Sequence, residues 1–125
     1  MPNLLPSGTS EEGWTLFEII LRAEQFCGRI ESRARNKLKK AEEEEVRLKI
    51  GQCRNLLAEL HKAYDEDNLK LENVCVKNQF RLLIMALLWV TFNARSLIDH
   101  KLFRMLVVIE SSFTYLLIVR TSPGR

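Results

Sequence analysis

Residues 34–46, ARNKLKKAEEEEV, join two apolar stripes that do not share a helical phase. Before them, Leu16, Ile20, Ala23, Cys27, Ile30 and Ala34 alternate by four and three, which lines them up along one side of a helix. After them, Val46, Ile50, Cys53, Leu57, Leu60, Tyr64, Asp67, Leu71 and Val74 step in the same way, and all but Asp67 are apolar or aromatic. Strict continuation from Ala34 selects Lys37, Ala41 and Glu44, whereas the later seam is reached through Leu38, Glu42 and Val46. Either one long helix lets its stripe drift, or the chain turns. Turns normally carry Gly, Pro or an Asn-Gly pair, and only Asn36 occurs between Arg33 and Glu45. The spacing therefore favours one long amphipathic helix, about 100 Å from end to end at 1.5 Å per residue, with a hairpin near residues 36–45 as the alternative.

Working outward, the fold class expected is all-α. Prolines occur only at positions 2, 6 and 123, so the span between them lacks the strongest helix breaker. Thr9-Ser10-Glu11-Glu12 offers a capping hydroxyl and a following glutamate, which places the first helix start near Ser10. The expected division is a disordered lead over 1–9, a charged coiled-coil region over 10–79, a hydrophobic helical tail over 80–120 and a frayed end over 121–125.

The tail is set apart by charge. Twenty-five charged residues fall within 14–79 and six within 80–119. Leu82 to Phe92 (LLIMALLWVTF) is free of charge, and apolar character resumes at Leu97-Ile98 and from Met105 onward. Two short hydrophobic helices are expected, with a turn at Asp99-His100-Lys101. Two environments suit them. Packed under the charged region or a partner, they form the core of a small bundle, which the sequence favours. Inserted into lipid, 82–98 and 102–119 tether the chain, but 82–98 is only just long enough to span and carries Asn93 and Arg95 in its last turns. The same break in composition is what a longer coiled-coil protein with a variant C-terminus would show.

Charge and motifs narrow the function by exclusion. The net charge of +3 comes from interleaved signs, which gives little field for nucleic acid. Arg33, Arg35, Lys37, Lys39 and Lys40 form a basic cluster, yet Glu42 to Glu45 follow within helical reach, so a self-neutralised solvated face is expected. His61 and His100 occupy unlike contexts, and neither sits with partners that would make a catalytic set. Asp65, Glu66 and Asp67 lack the glycine and alternating oxygens of a calcium loop. The glycines are isolated from one another, so none forms a phosphate-cradling motif. Cys27, Cys53 and Cys75 have no metal-binding spacing and read as reduced, partly buried thiols, consistent with a cytoplasmic or nuclear setting. The N-terminus has no basic region of a secretory signal.

No catalytic, cofactor or metal site is expected. The expected function is that of a non-enzymatic interaction or scaffold subunit, homo- or hetero-oligomeric. Its partner interface would be the coiled-coil residues Val46, Ile50, Cys53, Leu57, Leu60, Tyr64, Leu71 and Val74, assisted by Leu16, Ile20 and Ile30. The alternative is a membrane tether whose coiled coil faces the cytosol.

Overall fold

A computed structural model describes residues 16–65 and 74–121. Among them the chain forms α1 (Leu16–Lys37), α2 (Lys40–Asp65), α3 (Val74–Asn93), a 3-10 turn (Arg95–Leu97) and α4 (His100–Thr121), with no strand. The all-helical expectation holds. The lead and residues 122–125 of the expected frayed end lie outside the described residues, as do Asp67, Leu71 and the side chains of Tyr64, Val74 and Cys75, while Thr121 closes α4.

The favoured single long helix is corrected to a hairpin. Helix geometry stops at Leu38-Lys39, with the Leu38 amide donating to the Ala34 carbonyl and the Glu43 amide to that of Lys39. The reason lies in the order of the charges. Arg35 and Lys37 close α1, where the carbonyl end of the helix dipole favours cations, and Glu42 and Glu43 open α2, where the amide end favours anions. A break here also releases the two stripes from their phase conflict, since each helix turns its own apolar side inward.

The four helices run up-down-up-down. α1 packs on α2 and α4, α3 packs on α2 and α4, and the backbones of the diagonal pairs stay apart across the core. Contacts between opposite ends show that sequential neighbours are antiparallel. Phe17 meets His61 with ring centroids 5.6 Å apart, and the Gln79 amide donates to Glu59 at 2.7 Å. Between α3 and α4, Phe80 and Phe113 meet edge to face at 5.4 Å, the arrangement that aromatic quadrupoles prefer.

The core explains why the apolar stripes exist. On α1 the buried set is Leu16, Ile19, Ile20, Ala23, Phe26, Cys27, Ile30 and Ala34. Ile19 and Phe26 widen the stripe beyond the narrow seam of a two-stranded coil, as a helix touching two neighbours requires. On α2, Val46, Ile50, Cys53, Leu57 and Leu60 are at most 3% exposed. These residues, with Leu16, Ile20 and Ile30, were expected to await another chain. Their own bundle covers them instead, and as placed they present almost nothing to a second molecule. The first half of the chain meets α3 and α4 through Phe80, Leu83, Leu87, Val90, Leu102, Leu106, Ile109 and Phe113, all buried. At ~25 cal/mol per Å² of apolar surface, this shared core is the main force holding the bundle together.

The hydrophobic tail is thus half of the bundle, and its helices, at 20 and 22 residues, are comparable with α1. Its expected start at Phe80 falls inside α3, so the change of composition marks a change of surface and not an element boundary. The expected turn at Asp99-His100-Lys101 lies earlier, over residues 94–99, with His100 and Lys101 already in α4, and Asp99 closes it by accepting the Leu102 amide through Oδ1 at 2.8 Å, an N-terminal helix cap. Among the described residues no helix is long and apolar enough to cross a membrane.

Candidate interaction surface

The outward sides of the two hairpins differ in kind. Around α1 and α2 the exposed positions are mostly charged or polar, with ion pairs within one helix and between the two. Arg54 donates to Glu31 at 2.8 Å across the hairpin, and Arg47 lies 3.7 Å from Glu43 one turn away. Leu21 and Leu48 are the large apolar side chains exposed on these two helices.

α3 is apolar nearly all round. Its inward stripe fills the core, and a second stripe of Leu82, Met85, Leu88 and Phe92 recurs at three- and four-residue intervals on the outside. Phe92 is 72% exposed, Met85 64% and Leu82 54%. Next to it, α4 exposes Phe103, Val107, Tyr115 and Ile118. The two stripes meet where Phe92 and Phe103 line one opening between the helices, and exposed apolar side chains that recur along a helix in this way are the mark of an interaction surface.

Two grooves border the stripe. Between α2 and α3, a groove of about 520 Å³ is lined by Lys49, Gln52, Asn55, Leu56, Leu82, Met85, Ala86 and Trp89. The Lys49 ammonium sits 5.4 Å from the centre of the Trp89 ring, a cation–π contact. At the other end, Phe92, Arg95, Ile98, His100 and Phe103 line an opening of about 460 Å³ between α3 and α4.

The charges around this face are chiefly cations: Arg81, Arg95, Lys101 and Arg104 are exposed. The two acids of the described α3–α4 region are otherwise engaged. Asp99 pairs with Arg33 at 2.9 Å, while Arg33 also donates to the Leu97 carbonyl at 3.0 Å. The Leu102 amide and then the Arg33 guanidinium hold the Asp99 carboxyl below its usual range. Glu110 is half-buried between α3 and α4, and burial pushes its carboxyl up although the Thr91 hydroxyl opposes this. Its Oε2 is buried without a hydrogen-bond partner.

The histidines stand at separate places, His61 on α2 against Phe17 and His100 at the start of α4. Among the described residues no group of three or more His, Cys, Asp or Glu side chains is placed to hold a metal ion. Of the expected interface residues, those described lie in the core. The exposed α3–α4 stripe was hidden in a sequence that is apolar on every side, because nothing in its spacing separates inner from outer positions. No protein-family model, curated protein or solved structure matches the chain.

Proposed function

We propose that the protein is a non-enzymatic helical interaction module that docks a protein partner on the outer face of α3 and α4. The occupant it fits is an amphipathic helix with an apolar stripe flanked by acidic residues. The observation that carries this reading is the exposed stripe Leu82, Met85, Leu88 and Phe92 with its border of cations. Aromatic residues, Met and Arg are the side chains enriched in protein interfaces, and a helix laid along such a stripe is anchored at three- and four-residue intervals. Cations on the rim disfavour a second copy of the same face and favour an acidic partner through complementarity.

A designed helical peptide tests the reading. Two versions share one apolar stripe and carry Glu or Lys at every other position. Fluorescence anisotropy should show the Glu peptide binding at least tenfold more tightly, with the preference reversed by Arg81→Glu together with Arg104→Glu. Phe92→Asp should abolish binding while thermal stability is kept. Equal affinity for the two peptides, or binding indifferent to Phe92→Asp, would contradict the proposal. So would binding to phosphatidylserine vesicles but to neither peptide, which would assign the face to lipid, or self-association lost on Phe92→Asp, which would assign it to a second copy.

A further inference from the structure

The layer where α1 and α2 meet halfway along the first hairpin holds two thiols face to face. Cys27 and Cys53 are both free and fully buried, and their side chains interact directly across the α1–α2 interface, in the layer where Arg54, next to Cys53, reaches Glu31 of α1 at 2.8 Å. Neither belongs to the α3–α4 docking face. We propose that Cys27 and Cys53 are a covalent modification site, closing into a disulfide that ties α1 to α2 when the protein meets a low-molecular-weight disulfide.

The chemistry has a defined direction. A thiol–disulfide exchange needs a thiolate to attack and a second thiol within reach to resolve. The hydrogen bond from Cys27 and the charge of Lys49, one turn before Cys53, lower the Cys53 pKa despite its burial. The same contact and burial raise that of Cys27. Cys53 sulfur attacks one sulfur of RS–SR, forms a mixed disulfide and releases RS⁻. Cys27 then gives up its proton to that leaving thiolate and attacks the Cys53 sulfur, expelling the second RS⁻, which takes a proton from solvent to replace the one Cys53 had lost there. The two cysteines lose two hydrogens in all, and the small disulfide becomes two thiols. Two thiols that interact directly across packed helices are placed where such a bridge can close.

Access to the buried layer is the remaining requirement, and the sequence provides for it. Gly28 follows Cys27 and Gly51 lies two residues before Cys53. A methyl group at Gly51 would meet nothing within 4 Å, and at Gly28 only the end of the Arg54 side chain at 3.6 Å, so packing does not demand glycine at either place. Glycine inside a helix weakens it, and here it does so beside the thiols, where transient opening admits a small reagent. In a reducing compartment the pair stays a dithiol.

The test uses the full chain with Cys75→Ser, so that only this pair can close. After incubation with oxidised glutathione under native conditions and alkylation in denaturant, intact mass should show the loss of two hydrogens and no alkylation. Peptide mapping should join Cys27 to Cys53, and the oxidised protein should melt several degrees higher until reduced. Cys27→Ser should instead accumulate a mixed disulfide with glutathione on Cys53. Gly51→Ala should slow closure without preventing it. Two alkylated cysteines after native incubation, a bond that forms only in denaturant, or a link between separate chains would overturn the proposal.

Discussion

The two hairpins of this bundle meet the same core but face water differently. α1 and α2 bury one stripe each and cover their backs with charges, as helices of a self-sufficient bundle do. α3 and α4 bury an equivalent stripe and leave a second one exposed. Burial of the first stripe accounts for stability, and the first hairpin needs nothing further. The second hairpin leaves large apolar side chains exposed that folding does not use, and this excess is what the proposed docking rests on.

Breaking the shared core should have the largest effect. Phe113→Ala removes the ring that meets Phe80 edge to face and should cost about 3–5 kcal/mol. Hydrogen exchange should then rise in α1 and α2 as much as in α3 and α4. Loss of protection confined to the second hairpin would show that the halves fold separately. Exposing the contrast from the other side, Met85→Asp with Phe92→Asp should leave the melting temperature unchanged or raised while removing ANS binding and affinity for the acidic peptide. A large drop in melting temperature would mean that the outer stripe is structural.

Smaller effects should come from the charges that join the halves. Asp99 caps α4 and holds Arg33 of α1, and its folded-state pKa is depressed. Its contribution is therefore present above the ordinary carboxylate pKa and lost as pH falls through the lower folded value. Asp99→Asn should lower the melting temperature at neutral pH and flatten its dependence on pH below that range. Glu110 has the opposite sign. Its raised pKa means that protonation favours the fold, so the benefit is present below the unfolded-state pKa and lost as pH rises through the folded one. Glu110→Gln should accordingly raise the melting temperature at neutral pH, with the gain shrinking in acid. A gain independent of pH would show that burial of the charge is not its cause.

Much of the interior was legible in the sequence. The stripe from Leu16 to Ala34 and the seam from Val46 to Leu60 consist of residues that the structure buries without exception. What the stripe could not say was which molecule covers it, since an intramolecular bundle and an intermolecular coil impose nearly the same spacing. The break at Leu38-Lys39 falls inside the alternative hairpin near residues 36–45, which ranks second in the sequence because no Gly, Pro or Asn-Gly pair stands there. Its true mark was electrostatic, cations ending one helix and anions starting the next. Asp99, three residues before the Leu102 amide it caps, was similarly readable as a helix start. The exposed stripe of α3 was not readable, because Leu82 to Phe92 is apolar at inner and outer positions alike.

Thermal unfolding across a hundredfold range of protein concentration tests the central claim most directly, with the Met85→Asp, Phe92→Asp variant used to silence the outer face. If the seam from Val46 to Leu60 is covered by its own chain, the melting temperature stays constant and sedimentation gives the monomer mass of 14.6 kDa. A melting temperature that climbs with concentration, together with a mass that is a multiple of the monomer's, would show that another chain covers the seam and would contradict the account.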